Sequence, residues 1–300
     1  MKYLSQLTEI YVSIDDFCIQ FEHAVKKIQL HNGKKQRNRA FCMSQSEIMT
    51  ILVLFHLSQH KNLKHFYLYY VKKYLQSEFP NTVAYSRFVE LMQAALLPLT
   101  IYLKSVRSAA CSGISFVDST PLRVCHNRRI QSNKVFANFA QRGKSSMGWF
   151  FGFKLHIIVN DQGEVINFAI TEANVDDRQP LISGTLIKEV WGKIFGDRGY
   201  ISKDLFHMLF VDGIQLITKI RNNMKNTPMN MNDKILLRKR ALIESINDEL
   251  KNICQIEHSR HRSMANFLCN TIAGLVAYSF LPKKPAIKCK FEKSMQLAFC

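Results

Sequence analysis

Acidic residues are scarce in this chain. Its 300 residues include 23 Asp and Glu against 41 Lys and Arg, a formal charge of +18 and a pI near 9.6. That shortage points to a polyanionic partner, with nucleic acid first. An RNA-associated protein would carry the same excess, so charge sets a class of partner and no chemistry. A membrane surface is the runner-up, but no basic amphipathic anchor is visible. Long apolar runs are missing too. The longest, FLCNTIAGLVAYSFL (267–281), contains Asn270 and Thr271 and is too short to span a bilayer comfortably, so it reads as a core helix. The opening MKYLSQLTEIYVSIDDF lacks a charged start followed by an uninterrupted apolar stretch, and no signal peptide is expected. The eight cysteines (18, 42, 111, 125, 254, 269, 289 and 300) form no C-x-x-C pair. Several lie in apolar stretches, as buried thiols do, which implies a reducing cytoplasm and no zinc site. Repeats and low-complexity stretches are likewise absent.

What is present suffices for a full core: 47% of residues are hydrophobic, enough for one large or two modest domains. Residues 1–110 read as an all-helical domain. SQSEIMTILVLFHLS opens with Ser44 and Glu47 at capping-box spacing, and NLKHFYLYYVKKYL and SRFVELMQAALLPLTIYL follow as two further helices. They suit either a helix-turn-helix DNA reader or a packing and dimerisation bundle. Phe66, Tyr67, Tyr69 and Tyr70 read as core. From residue 113 the pattern becomes strand-rich. ISFVDS is a first strand, followed by a polar, basic loop through Lys144. WFFGFKLHIIVN and EVINFAIT form a hairpin around Asp161-Gln162-Gly163. A helix (DRQPLISGTLIKEVW), a short strand ending in Asp197, a helix closed by Gly213, another strand and a long helix over about 233–253 complete a mixed α/β order. Residues 111–282 form this second domain, and 283–300 a basic, loosely ordered tail.

Asp118 ends the apolar run Ile114, Phe116, Val117, where lost hydration must be compensated. A turn or a helix cap is the plain reading, since Asp-Ser-Thr-Pro also reads as a strand-to-loop break. Asp197 offers the sharper one, because it too follows a short apolar run, Ile194 and Phe195. Two aspartates at the ends of adjacent strands can share a Mg²⁺, which takes oxygen ligands and keeps several waters. On the long helix, Leu242, Ile243, Ile246, Leu250 and Ile253 form a core stripe, while Arg240, Glu244 and Lys251 share another face. Alone, that face is a solvated salt-bridge edge. Beside Asp118 and Asp197, Glu244 is a third carboxylate.

VDSTPLRVCHN, FGFKLHIIVND, NVDDR, FGDRGYIS and KRALIESINDELKN with QIEHSRHRS resemble the DDE transposases of bacterial insertion sequences, most closely the insertion-sequence-982 family. The resemblance covers nearly the whole chain and is most specific from Asp118 to Ser263. It implies an RNase-H-like catalytic fold, with Asp118, Asp197 and Glu244 as the catalytic, metal-binding triad. Insertion-sequence-4-like transposases carry tyrosine, arginine, glutamate and lysine around the third acid. Arg240, Glu244 and Lys251 match that spacing, but Leu237 stands where the tyrosine would be. The chemistry agrees: in-line displacement at a phosphodiester suits two divalent ions, Mg²⁺ or a substituting Mn²⁺, held by three carboxylates. The implied partners are double-stranded DNA, both the element's terminal repeats and the target, and a second copy of the chain. No membrane is involved, and the setting is the bacterial cytoplasm at the nucleoid. A nuclease of the same fold without strand transfer, or an inactive DNA-binding derivative, remain the alternatives.

Arg128, Arg129, Lys134, Arg142 and Lys144 punctuate the loop expected beside the acids, where they would contact phosphates. Arg240, Lys251, Arg260 and Arg262 are further DNA-binding candidates. His258 and His261 lack the partners of a zinc set and read as part of a basic patch. Asp176 and Asp177 read as helix caps, and Trp149 as strand core.

Overall fold

The computed structural model of the protein describes residues 4–31, 42–221, 224–225, 228–257, 261–287 and 297–299. Lys34, Lys35, Arg37, Arg39, His258 and Arg260 lie outside the described residues. The chain divides into two compact units, Met1–Arg107 with Glu249–Leu281, and Ser108–Asp248 with Pro282–Cys300.

The first unit is helical. It comprises α1 (Leu4–His31), α2 (Gln45–Leu57), α3 (Leu63–His65), a π-helical turn Phe66–Val71, α4 (Lys72–Tyr74), α5 (Tyr85–Ala94) and α6 (Leu96–Ser105). The expected capping box opens α2: Ser44 Oγ accepts the Glu47 N–H at 3.1 Å, and Glu47 Oε2 accepts the Ser44 N–H at 2.6 Å. Residues 48–57 of α2 are buried on every side, as befits a central helix. The single helix expected over 86–103 is instead broken at Ala95. Pro98 has no N–H to return to the carbonyl four residues back, but it is tolerated in the first turn of a new helix. Phe66 and Tyr67 are core as expected, whereas Tyr69 is exposed.

Residues 249–281 were expected in the strand-rich domain but group with these helices. The reason is their apolar helix, Met264–Ser279. Apart from the half-buried Leu268, it is buried from Asn266 to Tyr278, and it packs against α2, α5 and α6. A helix buried all round belongs where other helices cover it.

The second unit is a mixed sheet with flanking helices. Its strands are β1 (Ile114–Cys125), β2 (Gln141–Ser145), β3 (Gly148–Asn160), β4 (Val165–Glu172), β5 (Gly192–Gly196) and β6 (Ile214–Thr218). β3 runs antiparallel to β1, and β4 antiparallel to β3; β5 is parallel to β1, and β6 parallel to β5. Three antiparallel strands followed by two parallel ones on the other side of β1 give the RNase-H-like order. β2 adds a short ribbon at the start of β3. Val117, Ile158, Leu181, Ile194, Leu205 and Leu209 are part of the core beneath it.

The helices of this unit are α7 (Gln179–Ile182), α8 (Lys203–Val211), α9 (Met231–Lys239) and α10 (Ala241–Asp248). The helix expected over 177–191 stops after one turn because Gly184 takes φ +71° and donates back to Leu181. The long helix expected over 233–253 is interrupted at Arg240 and ends in a π-helical turn, Glu249–Ile253. Met264–Ser279 is α11. Part of the expected loose tail is a strand: β8 (Leu297–Phe299) pairs with β7 (Pro228–Asn230). Among the described residues no helix is long and apolar enough to cross a membrane.

Candidate active site

The parallel register between β1 and β5 sets Ile114 opposite Lys193, Ser115 opposite Ile194 and Phe116 opposite Phe195. Continued two residues, it sets Asp118 opposite Asp197. β5 ends at Gly196, so Asp197 lies just beyond the strand end. Asp118 does not end its own strand, which runs on to Cys125 and keeps Asp118 paired with Ile157 of β3. The Pro121 that reads as a break is accommodated because β1 pairs with β5 only from Ile114 to Phe116. Beyond that point one edge of β1 has no β5 ladder for the missing N–H to disrupt. Asp118 therefore stands where its neighbour stops. A Cβ added to Gly196 would sit 3.3 Å from Val117 Cγ1 and 3.2 Å from Tyr200 Cδ2, which shows how tightly the strand end is packed.

The Asp118 carboxyl is raised to about 6, chiefly by burial with smaller contributions from the Asp197 and Glu244 charges, against the opposing pull of Arg240 and the Ser119 backbone N–H. Asp197 and Glu244 are open to solvent, with side chains 57% and 60% exposed. Between them lies the Arg240 guanidinium, only 17% exposed, with Nη2 2.9 Å from Glu244 Oε1 and 4.0 Å from Asp197 Oδ1. The helix interruption at Arg240 and the first turn of α10 thus bring Arg240 and Glu244 to the two strand aspartates.

Two polar residues at the site are not among the sequence candidates. Asn247 is buried, and its Nδ2 donates to Asp118 Oδ2 at 3.0 Å. Its position was signalled by a polar side chain on the apolar stripe, four residues after Ile243 and three before Leu250. Tyr200 is buried with its hydroxyl unpartnered. Burial, then the Asp118 charge, holds its phenol well above the usual range. No sequence pattern marks it.

Other candidates lie elsewhere. From Asp118 to the end of β1 is seven residues, a rise of roughly 23 Å at about 3.3 Å each. Arg128 and Arg129 follow, exposed, in a 3₁₀ turn (Asn127–Arg129), and Lys144 is exposed on β2. The basic segment is therefore at the far end of the sheet from Asp118, because β1 does not turn at Pro121. Lys251 belongs to the first unit, in the π-helical turn where α-helical face spacing no longer holds, and pairs with Glu257 at 3.4 Å. Arg262 is exposed in the first unit, near enough to the Tyr85 phenol to favour its ionised form. Asp176 grips its neighbour Arg178 (2.6 Å) and accepts the Arg178 backbone N–H; Asp177 pairs with Lys154 at 2.9 Å. They shape the turn before α7, whose N-cap is Arg178. Trp149, expected in the strand core, is 59% exposed. A cavity of about 580 Å³ lined by Phe206, Leu216 and Asp233, among others, contains none of the three acids.

A family model described as a transposase DDE domain matches residues 108–264, more than half of the chain. The chain belongs to the DDE transposase domain family. No curated protein matches it. Among solved structures, one described as a cryo-EM structure of a piggyBac transposase synaptic complex with hairpin DNA is similar, with a TM-score of 0.44 and 11% identity, over 84% of this chain and 69% of that one. DDE transposase domains generally use divalent metals. The donors here fit such an ion in kind: all are carboxylate oxygens, two of them open to solvent. Among the described residues no three such side chains are gathered into a ready-made metal group. In the DDE domain as it stands, Arg240 supplies the positive charge between Asp197 and Glu244.

Proposed function

We propose that Asp118, Asp197 and Glu244 form the catalytic centre of a transposase of the insertion-sequence-982 type. It cuts duplex DNA at the element's terminal repeats and joins the freed 3′-hydroxyl to target DNA. The observation that carries this reading is the β1–β5 register, which sets Asp118 opposite Asp197, with Glu244 held 2.9 Å from the guanidinium that also faces Asp197. Bound divalent ions, Mg²⁺ or Mn²⁺ in its place, supply Lewis-acid activation of the attacking oxygen and charge relief at the leaving one. The chain's own residues do the rest. Asn247 donates to one oxygen of Asp118 and so fixes the orientation of that carboxylate. Arg240 orients Glu244 and lowers repulsion among the three acids. The +18 charge draws the DNA polyanion towards an acidic centre that would otherwise repel it. On this reading two copies act together on the DNA, at the bacterial nucleoid, and Arg262 and Lys251 of the first unit contact phosphates.

The test is incubation of the full chain with labelled element ends and Mg²⁺ or Mn²⁺, scoring cleavage and joining separately. Metal-dependent cleavage with joining supports the proposal. Cleavage alone would make the protein a nuclease of this fold, and binding without cleavage a DNA-binding derivative.

A further inference from the structure

We propose that the β2–β3 hairpin is a DNA-gripping arm whose Trp149 inserts at a base step of the bound duplex, some 26 Å from the acids. Only the position of the cut relative to this arm rests on the catalytic reading above.

The arm lies in a segment free of acid. Between Asp118 and Asp161 no Asp or Glu occurs, while Arg123, Arg128, Arg129, Lys134, Arg142, Lys144 and Lys154 do. Topology places four of these cations around Trp149. On one side Lys144 is directly opposite Trp149 in the ladder, and Arg142, two residues earlier, shares its face. On the other side Asn127 Nδ2 donates to the Trp149 carbonyl at 2.8 Å and fastens the turn that carries Arg128 and Arg129. All four are exposed, and the ion pairs among the described residues use other cations. Cations on two sides of one ring suit the phosphates of two strands flanking a groove.

Trp149 itself is 59% exposed and Met147, at the tip, 81%. An indole normally contributes by burying a large area. Here it is exposed, with cations on the chain segments to either side, on a hydrogen-bonded hairpin. Gly148 takes φ +101° to close the two-residue tip, Ser145 Oγ accepts the Met147 N–H at 3.2 Å, and Ser145 Oγ donates to the Gly148 carbonyl at 3.2 Å. Beneath, Gly143 lets the ribbon approach the Ala173 carbonyl, where a Cβ would collide. A fixed apolar side chain between phosphate-binding cations is the arrangement by which proteins partly unstack and kink a duplex.

The spacing says where. Asp118 is opposite Ile157, and Trp149 is eight residues earlier on the same strand, roughly 26 Å at about 3.3 Å per residue. At about 3.4 Å per base step, the arm meets the duplex seven or eight base pairs from a phosphate held at the acids.

The experiment uses the full chain without divalent metal and a duplex end in which 2-aminopurine is moved one position at a time. A fluorescence rise is expected at one step about seven or eight base pairs from the end. Trp149→Ala should remove that rise and weaken binding about tenfold, as loss of an aromatic–base stack does. Trp149→Phe should keep most of both, and circular dichroism reports folding for each variant. Lys144→Ala with Arg142→Ala should lower the slope of log affinity against log salt by about two while leaving the rise at the same step. An unchanged profile in Trp149→Ala would overturn the proposal. So would a rise confined to single-stranded DNA, or a change only in oligomeric mass, which would make the tip a contact between copies. Trp149-dependent unstacking without any metal-dependent cleavage would sink the catalytic reading and leave the arm standing; cleavage with no such unstacking would do the reverse.

Discussion

The two units treat their ionisable groups in opposite ways. In the helical unit a set of histidines and cysteines is buried and held neutral. Burial pushes the His56 and His261 imidazoles down to about 4, and the Cys254 and Cys269 thiols up to about 12. His56 Nδ1 donates to the Cys254 carbonyl, and no carboxylate contributes to the shift of either histidine. In the sheet unit, charge is kept and concentrated: Asp197 and Glu244 are open to water, Arg240 lies between them, and burial holds the Asp118 carboxyl above its usual range. The first unit is built as a packed body, the second as a scaffold that carries charge to one place. This contrast can be tested by perturbing each unit on its own terms.

The largest effect should come from separating the helical unit's two segments. Without residues 1–107, helix α11 loses α2, α5 and α6, and its face from Asn266 to Tyr278 is laid open to water. The fragment 108–300 should aggregate on expression, and supplying residues 1–107 as a second chain should restore solubility. A soluble, monomeric 108–300 would show that the first unit is dispensable as a body. Whether it takes part in recognising DNA ends could then be tested by simple deletion.

Next in size, and confined to the sheet unit, are the acids. Asp118→Asn and Asp197→Asn should each abolish metal-dependent cleavage while gel-shift affinity and circular dichroism stay near wild type, because an amide keeps the shape and removes the charge. Glu244→Gln should do the same and release Arg240 from its 2.9 Å partner, raising DNA affinity slightly. Cleavage near the wild-type rate in any of the three would remove that residue from the centre.

How far this was legible beforehand differs between the units for physical reasons. Helix periodicity is a local signal, so α2 with its Ser44–Glu47 box and the buried helix over 264–279 could be read directly. Interruptions at Ala95, Gly184 and Arg240 could not be, because a regular pattern of apolar residues survives a break of one residue. The segment 249–281 could not be assigned to its unit either, since only three-dimensional packing decides which neighbours cover an apolar helix. In the sheet, Asp118 and Asp197 stood out as charges after apolar runs. Their opposition is a matter of strand register, and the length of β1 beyond Pro121 depends on which of its edges is paired. Asn247 was the one site residue with an unread local sign, a polar side chain on the stripe.

Asn247 gives the third prediction. Its amide is a hydrogen-bond donor behind a proposed metal ligand, and such outer partners are worth roughly 10–100-fold in metal affinity or activity. Asn247→Ala should lower Mn²⁺ affinity, measured by paramagnetic resonance, by that order together with turnover. Asn247→Asp should be worse, since it sets a second carboxylate 3.0 Å from Asp118. If Asn247→Ala changes thermal stability but neither metal affinity nor turnover, the residue only fills the core.

The smallest effect returns to the helical unit, where acid should act first. The unfolded chain protonates its histidines near 6.5, and the folded chain protonates His56 and His261 only near 4. Between those values the unfolded state binds more protons, so stability is fully present above 6.5 and is lost as pH falls towards 4. From pH 7 to 5 that is roughly 2 kcal/mol for each such histidine. The sheet unit also has a depressed histidine, His156, at about 4, but the Asp177 carboxylate nearby favours its charged form and Thr171 Oγ1 hydrogen-bonds its ring. No carboxylate relieves His56 or His261; backbone hydrogen bonds to Cys254 and Asn270 offset only part of the burial at His56, and the His56 charge further disfavours that of His261. Two such sites without a carboxylate partner against one beside Asp177 predict that helical signals melt before sheet signals at pH 5. His261→Asn should remove about half of the helical unit's pH dependence and leave the sheet's untouched. Temperature scans followed at helix- and sheet-specific infrared bands would separate the two. Equal acid sensitivity of both bands, unchanged by His261→Asn, would mean that the buried histidines do not set the difference between the units.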